Sequence, residues 1–73
     1  MNLGNNIKKA RQEAGMTQKA LAEELDVYQK DISRWENGVL APSVITFRKI
    51  CLILNASADE ILELNARDTQ LKE

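Results

Sequence analysis

The sequence predicts an all-α fold, a compact set of five short helices. Three observations predict it. Apolar residues recur three and four positions apart through five segments, with no strand-like alternation, no repeat and no low-complexity tract. Helix-starting residues at Thr17, Ser43 and Ser57 and stops at Gly15 and Gly38 punctuate those segments. Between two of the segments stand only Asp26 and Val27, with Tyr28 as the next cap, a junction that forces a sharp turn.

The first helix is expected from about Asn5 to Ala14, where Leu3, Ile7, Ala10 and Ala14 recur at helical spacing and Gly15 offers a left-handed stop. Thr17 is a natural N-cap for the second, Gln18 to Leu25, whose Leu21, Ala22 and Leu25 form one apolar stripe. The third spans Gln29 to about Asn37, with Ile32 and Trp35 inward, and ends at Gly38. Pro42-Ser43 opens the fourth, Val44 to Leu54, where Phe47, Ile50, Cys51 and Leu54 share a face. Ser57-Ala58-Asp59-Glu60 has the form of a capping box and opens a fifth helix carrying Ile61, Leu62 and Leu64. The domain then occupies residues 1–65, and the polar stretch 66–73 is expected to be a short frayed tail.

Composition narrows the function. Seventy-three residues make one domain, which buries about 60% of the surface its unfolded chain exposes. With 44% apolar and 29% charged residues the chain is too apolar for a disordered tail and ordinary for a soluble protein. No apolar run approaches the roughly 20 residues of a membrane span, and MNLGNNIKKA lacks an apolar signal core. The chain therefore reads as a whole small cytoplasmic protein. It has no histidine, the usual general base and commonest metal ligand. Cys51 is the only cysteine, which excludes an internal disulfide and a cysteine zinc cluster; between Ile50 and Leu52 it reads as a small core residue. The adjacent acids Glu23-Glu24 and Asp59-Glu60 would diverge by about 100° on a helix and are no catalytic pairs. No glycine-rich phosphate loop is present. The expectation is a non-enzyme with no metal and no cofactor.

A net charge of −1 is unlike the basic balance of most DNA-binding domains. Between Gln18 and Asn37 the three bases Lys19, Lys30 and Arg34 meet the five acids Glu23, Glu24, Asp26, Asp31 and Glu36. The face each charge occupies therefore matters more than the sum. The segment YQKDISRWENG, Tyr28 to Gly38, sets Tyr28, Gln29, Lys30, Ser33, Arg34 and Asn37 around the anchors Ile32 and Trp35. Such a face is either simply solvated or turned toward a ligand with hydrogen-bonding edges. Helices joined across Asp26-Val27 must cross closely, which demands a small residue at the contact, and Ala22 provides it. The turn calls for one residue with positive φ, expected at Asp26, at a cost of roughly 1 kcal/mol. Val27 then plugs the corner. This is the sequence logic of a helix-turn-helix.

The run TQKALAEELDVYQKDISRWENG, continued by APS, TFRKI and SADEIL, resembles the phage-repressor-type helix-turn-helix family, the lambda-repressor-like, Cro/C1 or XRE-type domains. The likeness covers about Leu3 to Leu64 and rests on Thr17-Gln18, Leu21-Ala22, Ile32-Ser33, Trp35-Glu36-Asn37-Gly38 and Pro42-Ser43 in order and spacing. It implies a five-helix domain that binds double-stranded operator DNA, usually as a symmetric dimer, with the N-terminus of the third helix in the major groove.

On that resemblance Gln29, Lys30, Ser33 and Arg34 face base edges, with Tyr28 at the rim. The residue types suit the task, since Arg or Lys bonds guanine O6 and N7 and Gln pairs with adenine. Gln18 matches a position that family members use against the DNA backbone, at a helix start that favours phosphate. Asn37 matches another such position, and Lys19 is a weaker candidate. The resemblance also implies that Arg11 reaches Glu36 and ties the third helix to the scaffold, the alternative being two unrelated surface charges. Trp35 is expected in the core.

The chain departs from the family at two places. Tyr28 stands where Ser or Thr is common and cannot close the N-cap, although Asp31 three residues on can bond the helix start. After Gly38 come Val39, Leu40 and Ala41 where many relatives carry Lys or Arg, which should weaken non-specific affinity and flatten salt dependence. The sequence thus predicts a transcription regulator of a bacterium or prophage without an attached sensing or catalytic domain. A homodimer is expected through Ile45 and Leu52, seven residues apart on the side of the fourth helix away from Phe47, Ile50 and Leu54. The alternative is a protein-binding module, such as the antitoxin of a toxin–antitoxin pair, with a toxin or co-regulator as its partner. An acidic pI of about 5.4 leans toward it.

Overall fold

The computed structural model describes residues 1–64; the expected tail, 66–73, and the domain boundary at 65 lie outside them. Five helices follow in order: α1 (Leu3–Glu13), α2 (Gln18–Leu25), α3 (Gln29–Glu36), α4 (Val44–Leu54) and α5 (Ala58–Ile61). α3 packs on both α2 and α1, α4 packs on α2, and α5 closes against α1. Each of the first four helices sends one fully buried residue to the centre: Ile7, Leu21, Ile32 and Ile50. Ala22, Leu25, Cys51, Leu54 and Ile61 complete the core, with Trp35, Phe47 and Val27 half-buried against it. Burial pushes the Cys51 thiol above its ordinary pKa, because desolvation disfavours the thiolate. Among the described residues no helix is long and apolar enough to cross a membrane.

Local chemistry sets the helix starts. Asn2, Thr17, Ser43 and Ser57 each accept a hydrogen bond from the backbone N–H three residues on, filling a donor that the helix leaves open. At α3 Tyr28 offers no acceptor, and the Asp31 carboxylate instead accepts from the Tyr28 N–H at 3.3 Å. That is half of a capping box, the compensation expected from the sequence.

All five helices stop in the same way. Gly15, Asp26, Gly38, Asn55 and Glu63 hold left-handed backbone with φ between 52° and 76°. The N–H of the residue after each bonds back to the fifth carbonyl before it, as from Val27 to Ala22 and from Val39 to Arg34. This Schellman arrangement satisfies carbonyls the helix end would orphan. Asp26 at φ 57° is where the sequence placed the positive-φ residue.

Three boundaries differ from expectation. α1 begins at Leu3 rather than Asn5, because Asn2 caps it, and Ala14 lies exposed beyond its end. α3 ends one residue early, with Asn37 as its C-cap. α5 is a single turn: Glu63 turns left-handed, so Leu62 and Leu64 fall outside the helix and Leu64 stays 66% exposed.

Candidate nucleic-acid interface

α3 has two faces. Ile32 and Glu36 are buried and Trp35 is half-buried, so that side is spent on packing. Gln29, Lys30 and Arg34 are exposed on the other side, with Ser33 half-buried at its edge. Residues four apart on a helix stack on one side, so Gln29 with Ser33 and Lys30 with Arg34 form two adjoining rows. The four expected base-reading residues therefore lie together on one outward stripe, with Asn37 continuing it.

Several of these side chains already have partners within the chain. Lys30 Nζ lies 5.4 Å from the centre of the Tyr28 ring, within cation–π range. Arg34 Nη1 is 3.7 Å from Asp31 Oδ1, a half-exposed pair of little net strength. Asn37 Nδ2 donates to Ser33 Oγ at 3.2 Å. Asp31 therefore serves twice, capping the start of α3 and facing Arg34 one turn on. Tyr28 itself is 74% exposed.

What sets the angle of α3 is buried. Arg11 Nε donates to Glu36 Oε2 at 2.6 Å and Nη2 to Oε1 at 3.1 Å, a two-pronged bond between side chains 9% and 2% exposed. The third arm of the guanidinium, Nη1, donates to the Met16 carbonyl at 2.8 Å and so secures the α1–α2 turn. The expected Arg11–Glu36 pair is thus a buried tie, not two surface charges. Gln18 is half-buried and donates from Nε2 to Glu36 Oε1 at 3.0 Å, while Lys19 beside it is exposed.

Two parts of this scaffold escaped sequence reasoning. The first is Gly4. A Cβ there would sit on the Trp35 carbonyl oxygen and 2.6 Å from that of Glu36, so only glycine lets α1 lie against the end of α3. The signal was present, since Gly4, Ile7 and Arg11 fall on one helical face and all three are buried. The second is the Gln18–Glu36 bond, which joins residues 18 apart and leaves no periodic trace.

On α4, Ile45 and Leu52 are 71% and 63% exposed, and Val44 beside them 85%. Leu52 and Val44 border a groove of about 470 Å³ between α4 and α5, floored by Phe47, Cys51 and Leu62.

A helix-turn-helix family model matches residues 7–61. Over 62 residues, 85% of this chain, the sequence is 39% identical to the HTH-type transcriptional regulator ImmR of Bacillus subtilis (strain 168). The chain spans about half of that relative's length, 49%. With the matching segments, the sharp α2–α3 turn and the five-helix core in agreement, the chain belongs to the phage-repressor (XRE) type of helix-turn-helix family.

Proposed function

We propose that this chain is a sequence-specific DNA-binding transcription regulator of a bacterial or prophage cytoplasm. It reads operator DNA through the major groove with α3, as a homodimer. Gln29, Lys30, Ser33 and Arg34 read base edges, while Gln18, Lys19, Tyr28 and Asn37 hold the rim and the phosphates. The observation that carries the reading is the outward polar stripe of α3, set on a helix whose opposite face is fixed by Ile32, Trp35 and the buried Glu36. A regulator of the same type, 39% identical, supports it. Ile45 and Leu52 of α4 supply the dimer contact. Selection from random duplexes at low salt should enrich one motif with two half-sites about one helical turn apart. Failure to enrich any sequence would remove the reading.

A second reading has an observation of its own. Val39 and Leu40, just past the recognition helix, are 68% and 57% exposed where a phosphate-facing loop would be basic. That favours a protein partner, such as a toxin or co-regulator, docking beside α3. Capture of a partner that leaves α3 free for duplex would accommodate both readings; a chain that captures partner but enriches no duplex would select the second.

A further inference from the structure

Glu36 is buried, yet its carboxylate does more than neutralise Arg11. Oε1 accepts from both Arg11 Nη2, at 3.1 Å, and Gln18 Nε2, at 3.0 Å. A carboxylate only accepts, so the nitrogen end of the Gln18 amide must face it. The amide nitrogen carries two hydrogens in one plane, and Glu36 takes one. The other has no partner among the described residues, on a half-buried side chain at the start of α2. A buried ion pair adds little net stability over an apolar replacement, so the arrangement calls for a different account.

We infer that Glu36 is a positioning residue for DNA binding: held by Arg11, it locks the Gln18 amide so that its second N–H donates to a backbone phosphate. The inference rests on the reading that Gln18 faces phosphate. Its physical content is preorganisation. An unanchored glutamine at a helix start would lose several rotamers and choose between its two amide orientations on binding, and one of those turns its oxygen toward the anion. Glu36 removes that choice in the free protein. The same carboxylate sits at the end of α3, so phosphate register at α2 and the placement of the base-reading stripe are referred to one buried point.

The test is a set of double replacements that remove the buried charges together. Arg11→Met with Glu36→Gln keeps an acceptor for Gln18; Arg11→Met with Glu36→Leu does not. Gln18→Ala is then measured in the wild type and in both backgrounds, on the selected duplex and on a scrambled one. Loss of one hydrogen bond to a charged group weakens binding roughly tenfold to a hundredfold, and it should do so on both duplexes because phosphates carry no sequence. The expected result is that loss in the wild type and in the Gln background, and almost none in the Leu background, where the amide is already adrift. Equal losses in all three would show that Glu36 does not position Gln18, and no loss in the wild type would overturn the inference at its first step. Absence of any enriched duplex is a separate failure, that of DNA reading itself. If the double variants do not fold, NMR relaxation of the wild-type Gln18 side-chain amide decides. An order parameter near the rigid-backbone value of about 0.85 is expected in the free protein, and one below about 0.6 would overturn the inference.

Discussion

Asp26 holds φ 57°, a conformation that costs a non-glycine residue about 1 kcal/mol. Asp26→Gly should therefore stabilise the domain, by at most about 0.5 kcal/mol once the greater freedom of glycine in the unfolded chain, roughly 0.5–1 kcal/mol, is subtracted. Thermal unfolding should show a rise of a few degrees, about 4–8 °C per kcal/mol for a domain of this size. An unchanged or lower midpoint would mean that the turn draws on the Asp26 side chain. Asn55 and Glu63 are in the same conformation, and Asn, which tolerates it best, has the least to gain from glycine. Gly4 is the opposite case. Gly4→Ala would drive a methyl into the backbone carbonyls of Trp35 and Glu36, which have no rotamer to yield. The expected cost is about 1–3 kcal/mol, read from urea unfolding. A loss within the roughly 0.5 kcal/mol typical of surface changes would mean that α1 can slide off α3. Glycine is gained in one place and lost in the other, and what a Cβ would meet decides the sign.

At the scale of elements, legibility followed the caps. α2 and α4 have the bounds the sequence predicts, because Thr17 and Ser43 cap where an apolar stripe begins. α1 starts earlier than its apolar pattern suggests, since Asn2 caps from outside that pattern, and α5 is cut short by a left-handed Glu63 that no residue preference announces. The outward stripe of α3 was legible because Ile32 and Trp35 fix which side faces in. The links among Gln18, Arg11 and Glu36 were only half so, since they join residues on three helices. For α3 the prediction concerns discrimination. Arg34→Ala or Gln29→Ala should cost roughly 1–3 kcal/mol on the selected duplex and relax base preference at one position, with little change on scrambled DNA. Uniform losses on both would assign that residue to phosphate instead. Asp31→Asn should act in the other direction. The amide oxygen can still accept from the Tyr28 N–H, so the cap survives, while one negative charge leaves α3 and Arg34 loses its partner. Binding should tighten by a similar factor on every duplex, with a salt slope steeper by about one and the ratio between selected and scrambled DNA unchanged. Tighter binding to the selected duplex alone would mean that Asp31 opposes a base rather than the backbone.

For the molecule as a whole the open matter is how one small domain gains enough contact to choose a site. A single module buries less DNA surface than tight specific binding needs, and two half-sites solve this only if two copies associate. α4 offers the means: Ile45 and Leu52 stand 71% and 63% exposed on one side of a helix that carries no acid. Packed on its own copy across a two-fold axis, α4 would bury Ile45 and Leu52 together, a patch well below the roughly 800 Å² per partner of a standard interface. Arg48 and Lys49 lie midway between those two residues, near the axis of such an interface, and both are exposed. Each would face its counterpart across it. Repulsion between like charges then weakens the free dimer, and added salt should strengthen it by screening. DNA binding responds to salt in the opposite sense, since each phosphate contact releases counterions. Sedimentation of the free wild type should therefore show a concentration-dependent shift toward dimer that is larger at high salt than at low. Leu52→Lys should be a monomer at every concentration reached, because it adds a cation to the interface as it removes apolar area. A dimer that weakens with salt would mean that attraction between unlike charges holds it. A dimer indifferent to Leu52→Lys would move the interface off this face of α4. A wild type that stays monomeric both free and on the selected duplex would sink the dimer altogether, and the domain would have to find its specificity within a single half-site.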